Sequence, residues 1–97
     1  MTLQDITFNK DFVTGKWVAD FVANGPFNIH LEFQRAPKFV CYQSLTGTNY
    51  APFFKSPDVI TNQKNFDFEV PNVPSGMNIR IVSDSEVLIG KIGYDEA

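Results

Sequence analysis

Few side chains in this chain offer chemistry: one histidine, one cysteine, and an aromatic set of ten Phe, three Tyr and one Trp. His30 stands two residues before Glu32, which puts both on one side if the stretch is a strand. As a functional group it would be a general base, or a switch whose charge changes near neutral pH. A catalytic triad needs a nucleophile and an orienting acid converging on the imidazole. No spacing here supplies them, so a solvated histidine on a sheet surface is the simpler reading. Cys41 stands next to His30 in one of the strand registers open to the chain. A reactive thiol needs an electropositive, partly open environment, whereas an aromatic-rich strand makes a cysteine a small buried hydrophobe.

Other chemistries fail on residue type or spacing. One His and one Cys do not complete the four N/S ligands of a structural zinc site. Asp84-Ser85-Glu86 lacks the alternating ligands and following Gly of a calcium loop, and reads as a turn. Gly90-Lys91-Ile92-Gly93 lacks the spacing and strand-to-helix context of a phosphate loop. Asp20, Glu32 and Glu69 give no identifiable pair for glycoside hydrolysis. The expectation is a protein that is not an enzyme, with no catalytic residues, no metal and no cofactor.

The aromatics offer a binding alternative. Trp17, Tyr42, Tyr50 and Tyr94 could form a flat platform for sugar rings, and with Val18 and Val22 they make up the candidate binding surface. A core built in so small a chain needs most of its aromatics buried, which competes with that reading.

The elements that position these residues follow from alternation. Phe27-Asn28-Ile29-His30-Leu31-Glu32-Phe33-Gln34 alternates apolar and polar without a fault, predicting a strand near the middle of a sheet with Phe27, Ile29, Leu31 and Phe33 in the core. Lys16 to Ala23 alternates too, but carries Val18 and Val22 on its other side, so it reads as covered on both faces. Asn24-Gly25-Pro26 is a strong turn signal, and Lys16 to Gln34 reads as a β-hairpin. Ala36-Pro37-Lys38 turns into a strand over Phe39 to Ser44, whose register leaves open whether Phe39 and Cys41 or Val40 and Tyr42 enter the core.

Leu45 to Thr48 is a compact turn leading to Asn49–Phe54, where Pro52 argues for an edge strand. Ile6 to Val13 suits a short first strand, and Lys55 to Asn65 a polar loop with room for a strand at Val59-Ile60. Phe66 to Val70 and Met77 to Ile81 alternate. Phe66, Phe68, Ile79 and Ile81 are expected to meet Phe27, Ile29, Leu31 and Phe33 from a facing sheet. Val87 to Ile92 suits a strand packed on both faces, and Asp95-Glu96-Ala97 a frayed tail. Seven or eight short strands at roughly ten-residue spacing, without helical periodicity, predict an all-β fold: an antiparallel two-sheet β-sandwich, jelly-roll or Ig-like. Residues 1–97 are expected to form a single domain, with no internal boundary.

The formal charge is −3, the sequence pI about 4.9, and no run of Lys or Arg is present. Binding a phosphate backbone needs a basic face, so neither nucleic acid nor an anionic membrane is an expected partner. One cysteine excludes an internal disulfide. The N-terminus lacks a signal-peptide pattern and nothing approaches a membrane span, so synthesis in the cytoplasm without an export signal is expected.

Two segments carry a resemblance. Ser44-Leu45-Thr46-Gly47-Thr48-Asn49-Tyr50 resembles the Ser-x-Asp-Gly-x-x-Trp hairpin of small β-sandwich modules, with Thr46 in the place of Asp and Tyr50 in the place of Trp. Pro74 to Ser83 is similar to the Pro-x-Gly-x-x-hydrophobic-Arg-hydrophobic segment that enters a late strand of such domains. Together they resemble the auxiliary or decoration proteins of tailed-phage virions, over about a fifth of the chain. The resemblance implies a structural subunit that binds a capsid or other virion protein, located in the virion. It also implies a symmetric homo-oligomer, with a trimer among the expected forms. The alternative is a small carbohydrate-binding module, with a glycan as partner.

Overall fold

A computed structural model describes residues 2–56 and 62–95. Among the described residues nine strands form: Thr2–Asp5 (β1), Asn9–Asp11 (β2), Lys16–Asn24 (β3), Phe27–Phe33 (β4), Phe39–Ser44 (β5), Ala51–Lys55 (β6), Asn65–Val70 (β7), Ser75–Ser83 (β8) and Val87–Tyr94 (β9). They build two antiparallel sheets, four-stranded in the order β1-β9-β4-β7 and five-stranded in the order β2-β3-β8-β5-β6. The expected all-β two-sheet sandwich is the fold. Within it the first strand pairs with the last, β3 with β8, β4 with β7 and β5 with β6. This nested pairing is that of a jelly roll, with β2 added on one edge.

The stretch from Phe27 to Phe33 is an interior strand, as its alternation predicts. Phe27, Ile29, Leu31 and Phe33 are all buried, while Asn28, His30 and Glu32 face outward and are half-buried. Ile79 and Ile81 face them from the opposite sheet and are completely buried. Phe66 and Phe68, expected from that facing sheet, instead flank Leu31 and Ile29 within the same one. Phe66 is buried and Phe68 half-buried.

The hairpin expected over Lys16 to Gln34 does not form. β3 and β4 belong to different sheets, and Asn24-Gly25-Pro26 carries the chain across the sandwich. Gly25 adopts a φ of 119°, closed to most L-residues, and the register of β3 breaks at Ala23/Asn24. The apolar sides of the two strands meet face to face, and the Phe21 and Phe27 rings pack edge-on at 5.5 Å. Ala36-Pro37-Lys38 also crosses between sheets, so β4 and β5 are not a hairpin either. Phe39 and Cys41 face the core and Val40 and Tyr42 face outward, which settles the register left open by sequence.

Ile6 to Val13 is not one strand. β1 precedes it on the four-stranded sheet, Ile6 donates its N–H to Gly90 O at 2.9 Å as the chain crosses, and β2 then joins the other sheet. That division raises the strand count from the expected seven or eight to nine. β6 is an edge strand, in keeping with Pro52. Strand pairing stops short at β9. Its register with β4 skips Leu88, and β1 reaches only to Lys91, so Leu88 is 60% and Ile89 40% exposed. β9 is therefore not packed on both faces as its apolar start suggests. Nor is β3, whose outward Val22 is 54% exposed. The expected strand at Val59-Ile60 and the end of the frayed tail, Glu96-Ala97, lie outside the described residues.

Crossovers are tied by polar groups placed where apolar packing ends. Lys38 N donates to Asp84 Oδ1 at 2.8 Å, and Asp84 N to Lys38 O at 3.1 Å. The buried Ser83 hydroxyl donates to Ser85 O, and the Ser85 hydroxyl to Arg35 O. Buried polar groups cost stability unless hydrogen-bonded, and among the described residues no buried side-chain N or O lacks a partner.

Candidate functional site

The two outer faces of the sandwich differ in chemistry. On the four-stranded sheet, strand register aligns Asp5, Lys91, His30 and Asp67 in one row across all four strands. Lys91 Nζ lies 2.7 Å from Asp5 Oδ1. His30 Nε2 lies 2.8 Å from Glu32 Oε2, and its Nδ1 lies 2.9 Å from Asp67 Oδ2. Neutral imidazole has one donor nitrogen, and only the imidazolium can donate to two carboxylates at once. Hydrogen bonds to Glu32 and then Asp67 accordingly raise His30 above its ordinary 6.5. With both nitrogens donating, the imidazolium ties Glu32 of β4 to Asp67 of β7.

The sign of the pH dependence follows. A raised folded-state pKa gives stabilisation that is complete below about 6.5, the unfolded value, and is lost as pH rises through the higher folded value. The His30 side chain is 38% exposed, so each pair is of the solvent-screened kind worth about 0.2–1 kcal/mol. Thermal unfolding of wild type and His30→Gln from pH 5.5 to 9 should show a wild-type advantage at the acid end that shrinks toward the alkaline end. A difference that stays constant with pH would rule out the doubly donating imidazolium.

On the five-stranded sheet the outward row Val18, Val82 and Val40 runs across β3, β8 and β5. The next row holds Asp20, Arg80 and Tyr42. Arg80 Nε donates to Asp20 Oδ1 at 2.7 Å, and its guanidinium lies 4.3 Å above the centre of the Tyr50 ring. Tyr50 is delivered by the Ser44–Thr48 turn. There Gly47 N donates to Ser44 Oγ at 3.0 Å, and the Thr46 hydroxyl shares hydrogen bonds with those of Ser44 and Thr48. Gly47, at φ 78°, takes a conformation that favours glycine.

The candidate binding residues are divided by this architecture. Val18, Val22, Tyr42 and Tyr50 share the outer face of the five-stranded sheet. Trp17 falls on the opposite side of β3 in the alternation, half-buried at the strand's end beside Ser83. Tyr94 turns inward, packing edge-on to Phe27 at 6.4 Å and accepting a hydrogen bond from Asn24 N at 3.1 Å. The four rings do not form one platform. Cys41 and His30 lie on different sheets, which removes the neighbouring arrangement that one register allowed. Burial pushes the Cys41 thiol up to about 12, so it carries negligible thiolate at neutral pH.

Sequence reasoning missed Asp67 as the second partner of His30, and Arg80 as the centre of the opposite face. Alternation in Phe66-Asp67-Phe68 did place Asp67 outward, but only strand order puts it beside His30. Among the described residues no group of three or more His, Cys, Asp or Glu is placed to hold a metal ion. What the fold and surfaces define is an antiparallel sandwich with a His30-centred ion network on one face and a valine row beside the Asp20–Arg80 pair on the other. No protein-family model, curated protein or solved structure matches the chain.

Proposed function

We propose that this chain is a non-catalytic assembly subunit acting through protein–protein contacts, and specifically an auxiliary or decoration subunit of a virion. One observation carries the reading: large apolar side chains stay outside a core that is already filled. Phe12 and Val13, in the turn between β2 and β3, are 89% and 94% exposed. Single exposed apolar residues are ordinary, but two large ones held side by side in solvent suit a contact with a partner. The jelly-roll pairing adds support by fold-level analogy, since viral capsid and lectin domains both use it. The virion assignment rests on that analogy and on the segments Ser44–Tyr50 and Pro74–Ser83.

Lectins share the architecture, so a glycan is the competing ligand. It is the weaker reading here because Arg80 covers the Tyr50 ring and Tyr94 faces inward. Particles banded on a density gradient from the native source should contain the chain in many copies. Recovery only in the soluble fraction, as a strict monomer, would overturn the proposal. Glycan-array binding abolished by Trp17→Ala or Tyr50→Ala, with folding intact, would replace it with the carbohydrate reading.

A further inference from the structure

Three of the chain's eight Lys and Arg residues gather around one groove, although the formal charge is −3 and no run of bases marks the sequence. The groove holds about 200 Å³ on the outer face of the five-stranded sheet, beside Val40, Val82 and Tyr42. Lys16 opens β3, Lys38 precedes β5 and Lys55 ends β6, so strand order assembles the cluster. Among the described residues no acid lines it.

Two of these lysines keep their charge uncompensated. Lys91 and Arg80 are each paired with an aspartate, whereas among the described residues no carboxylate lies within ion-pair distance of the Lys16 or Lys38 ammonium. The acids beside them serve backbone groups instead. Asp11, opposite Lys16 in the β2–β3 register, accepts from Val13 N at 2.9 Å, and Asp84 accepts from Lys38 N at 2.8 Å.

Apolar surface runs directly into this charge. Val18, Val82 and Val40, all half-buried, form the outward row across β3, β8 and β5, and the pairing of β5 with β6 continues that row to Lys55. Lys16 and Lys38 stand two residues before Val18 and Val40, so both flank the row on one side. Complementary charge steers a partner to a surface and rejects wrong ones. The complement of this surface is carboxylate beside aliphatic side chain. A phosphate polymer is opposed by the net charge of −3.

We propose that the valine row and the Lys16–Lys38–Lys55 groove together dock a segment of a partner protein that carries carboxylates beside aliphatic side chains. This deepens the assembly reading and rests on it. The test is a titration of the isotope-labelled full chain, followed by amide chemical shifts, with a capped peptide in which valine and glutamate alternate. Shifts should concentrate at Lys16, Val18, Lys38, Val40 and Val82, and fade as salt is raised, since exposed charges are screened. Lys16→Gln combined with Lys38→Gln should bind about tenfold more weakly, as expected when two solvent-screened pairs are lost together. Lys16→Arg combined with Lys38→Arg should keep the affinity. Both lysines are exposed, so neither variant should alter melting.

An absence of shifts overturns the proposal, as do shifts confined to the four-stranded sheet. Equal binding of the peptide with glutamine in place of glutamate overturns it too, because charge would then play no part. Inorganic phosphate that displaces the peptide at lower concentration would make the groove a small-oxyanion site and exclude the docked segment. None of these results decides whether the chain bands with particles, so failure of the docking site and failure of the assembly proposal are told apart.

Discussion

Phe39→Ala should lower stability by about 3–5 kcal/mol, the range for removing a buried aromatic ring. Phe39 is 1% exposed and stands where the two sheets meet. Its ring stacks on Phe33 at 5.4 Å, meets Phe66 edge-on at 5.0 Å, and stacks at 5.9 Å on Phe54 of its own sheet. Phe33 and Phe66 come from the opposite sheet, so one truncation removes contacts across the sandwich as well as along it. Aromatic pairs contribute beyond the area they bury, which places this site toward the upper end of the range. Native domains are stable by only about 5–15 kcal/mol. Urea unfolding should show a large drop in midpoint with an unchanged slope. A loss below about 1 kcal/mol would mean that the core is not centred on this ring.

Leu31→Ala should cost about 2–5 kcal/mol. Leu31 has no exposed surface and sits on the interior strand β4, opposite Gly90 in the register. Gly90 has no side chain with which to fill the space. A Cβ placed there would meet Phe8 Cε1 at 3.2 Å and the Ile6 carbonyl oxygen at 3.3 Å, so the neighbouring chain is already close. Backbone on that side cannot collapse inward freely, and the cavity left by the lost isobutyl group persists. For a domain of this size each kcal/mol shifts Tm by roughly 4–8 °C. Unaltered melting in Leu31→Ala would place its side chain outside the core and contradict the alternation of β4.

The two predictions draw on different information. Leu31 is legible in the amino-acid sequence, because period-two alternation is local: successive side chains of a strand point to opposite faces whatever the strand pairs with. The same property identified the core face of β8 and the outward placement of Asp67. It also carried the fold class, since many short alternating segments separated by Gly and Pro turns suit two packed sheets. The place of Phe39 was undetermined, because its neighbour Val40 fits a core face equally well in a register shifted by one residue.

Surface chemistry was less legible still. His30 and Glu32 are neighbours by strand geometry alone, but the Asp67 carboxylate reaches the imidazole only because β7 pairs with β4 in one register. Arg80 stacks on Tyr50 because β8 lies between β3 and β5 and the Ser44–Thr48 turn folds back over that sheet. Trp17 and Tyr94 share an aromatic character with Tyr42 and Tyr50 and share no face with them.

By itself, then, the sequence determined which residues of β4, β7 and β8 face inward, where Gly and Pro break the chain, and that the architecture is an all-β sandwich. Only the tertiary structure decided which strands share a sheet. Asn24-Gly25-Pro26 shows why: the same three residues can close a hairpin or carry the chain across to the facing sheet, and both outcomes bury the apolar sides of β3 and β4. The choice is made by pairings distant in the chain, β3 with β8 and β4 with β9, which close the jelly roll and leave the Phe12–Val13 tip and the valine row outside it.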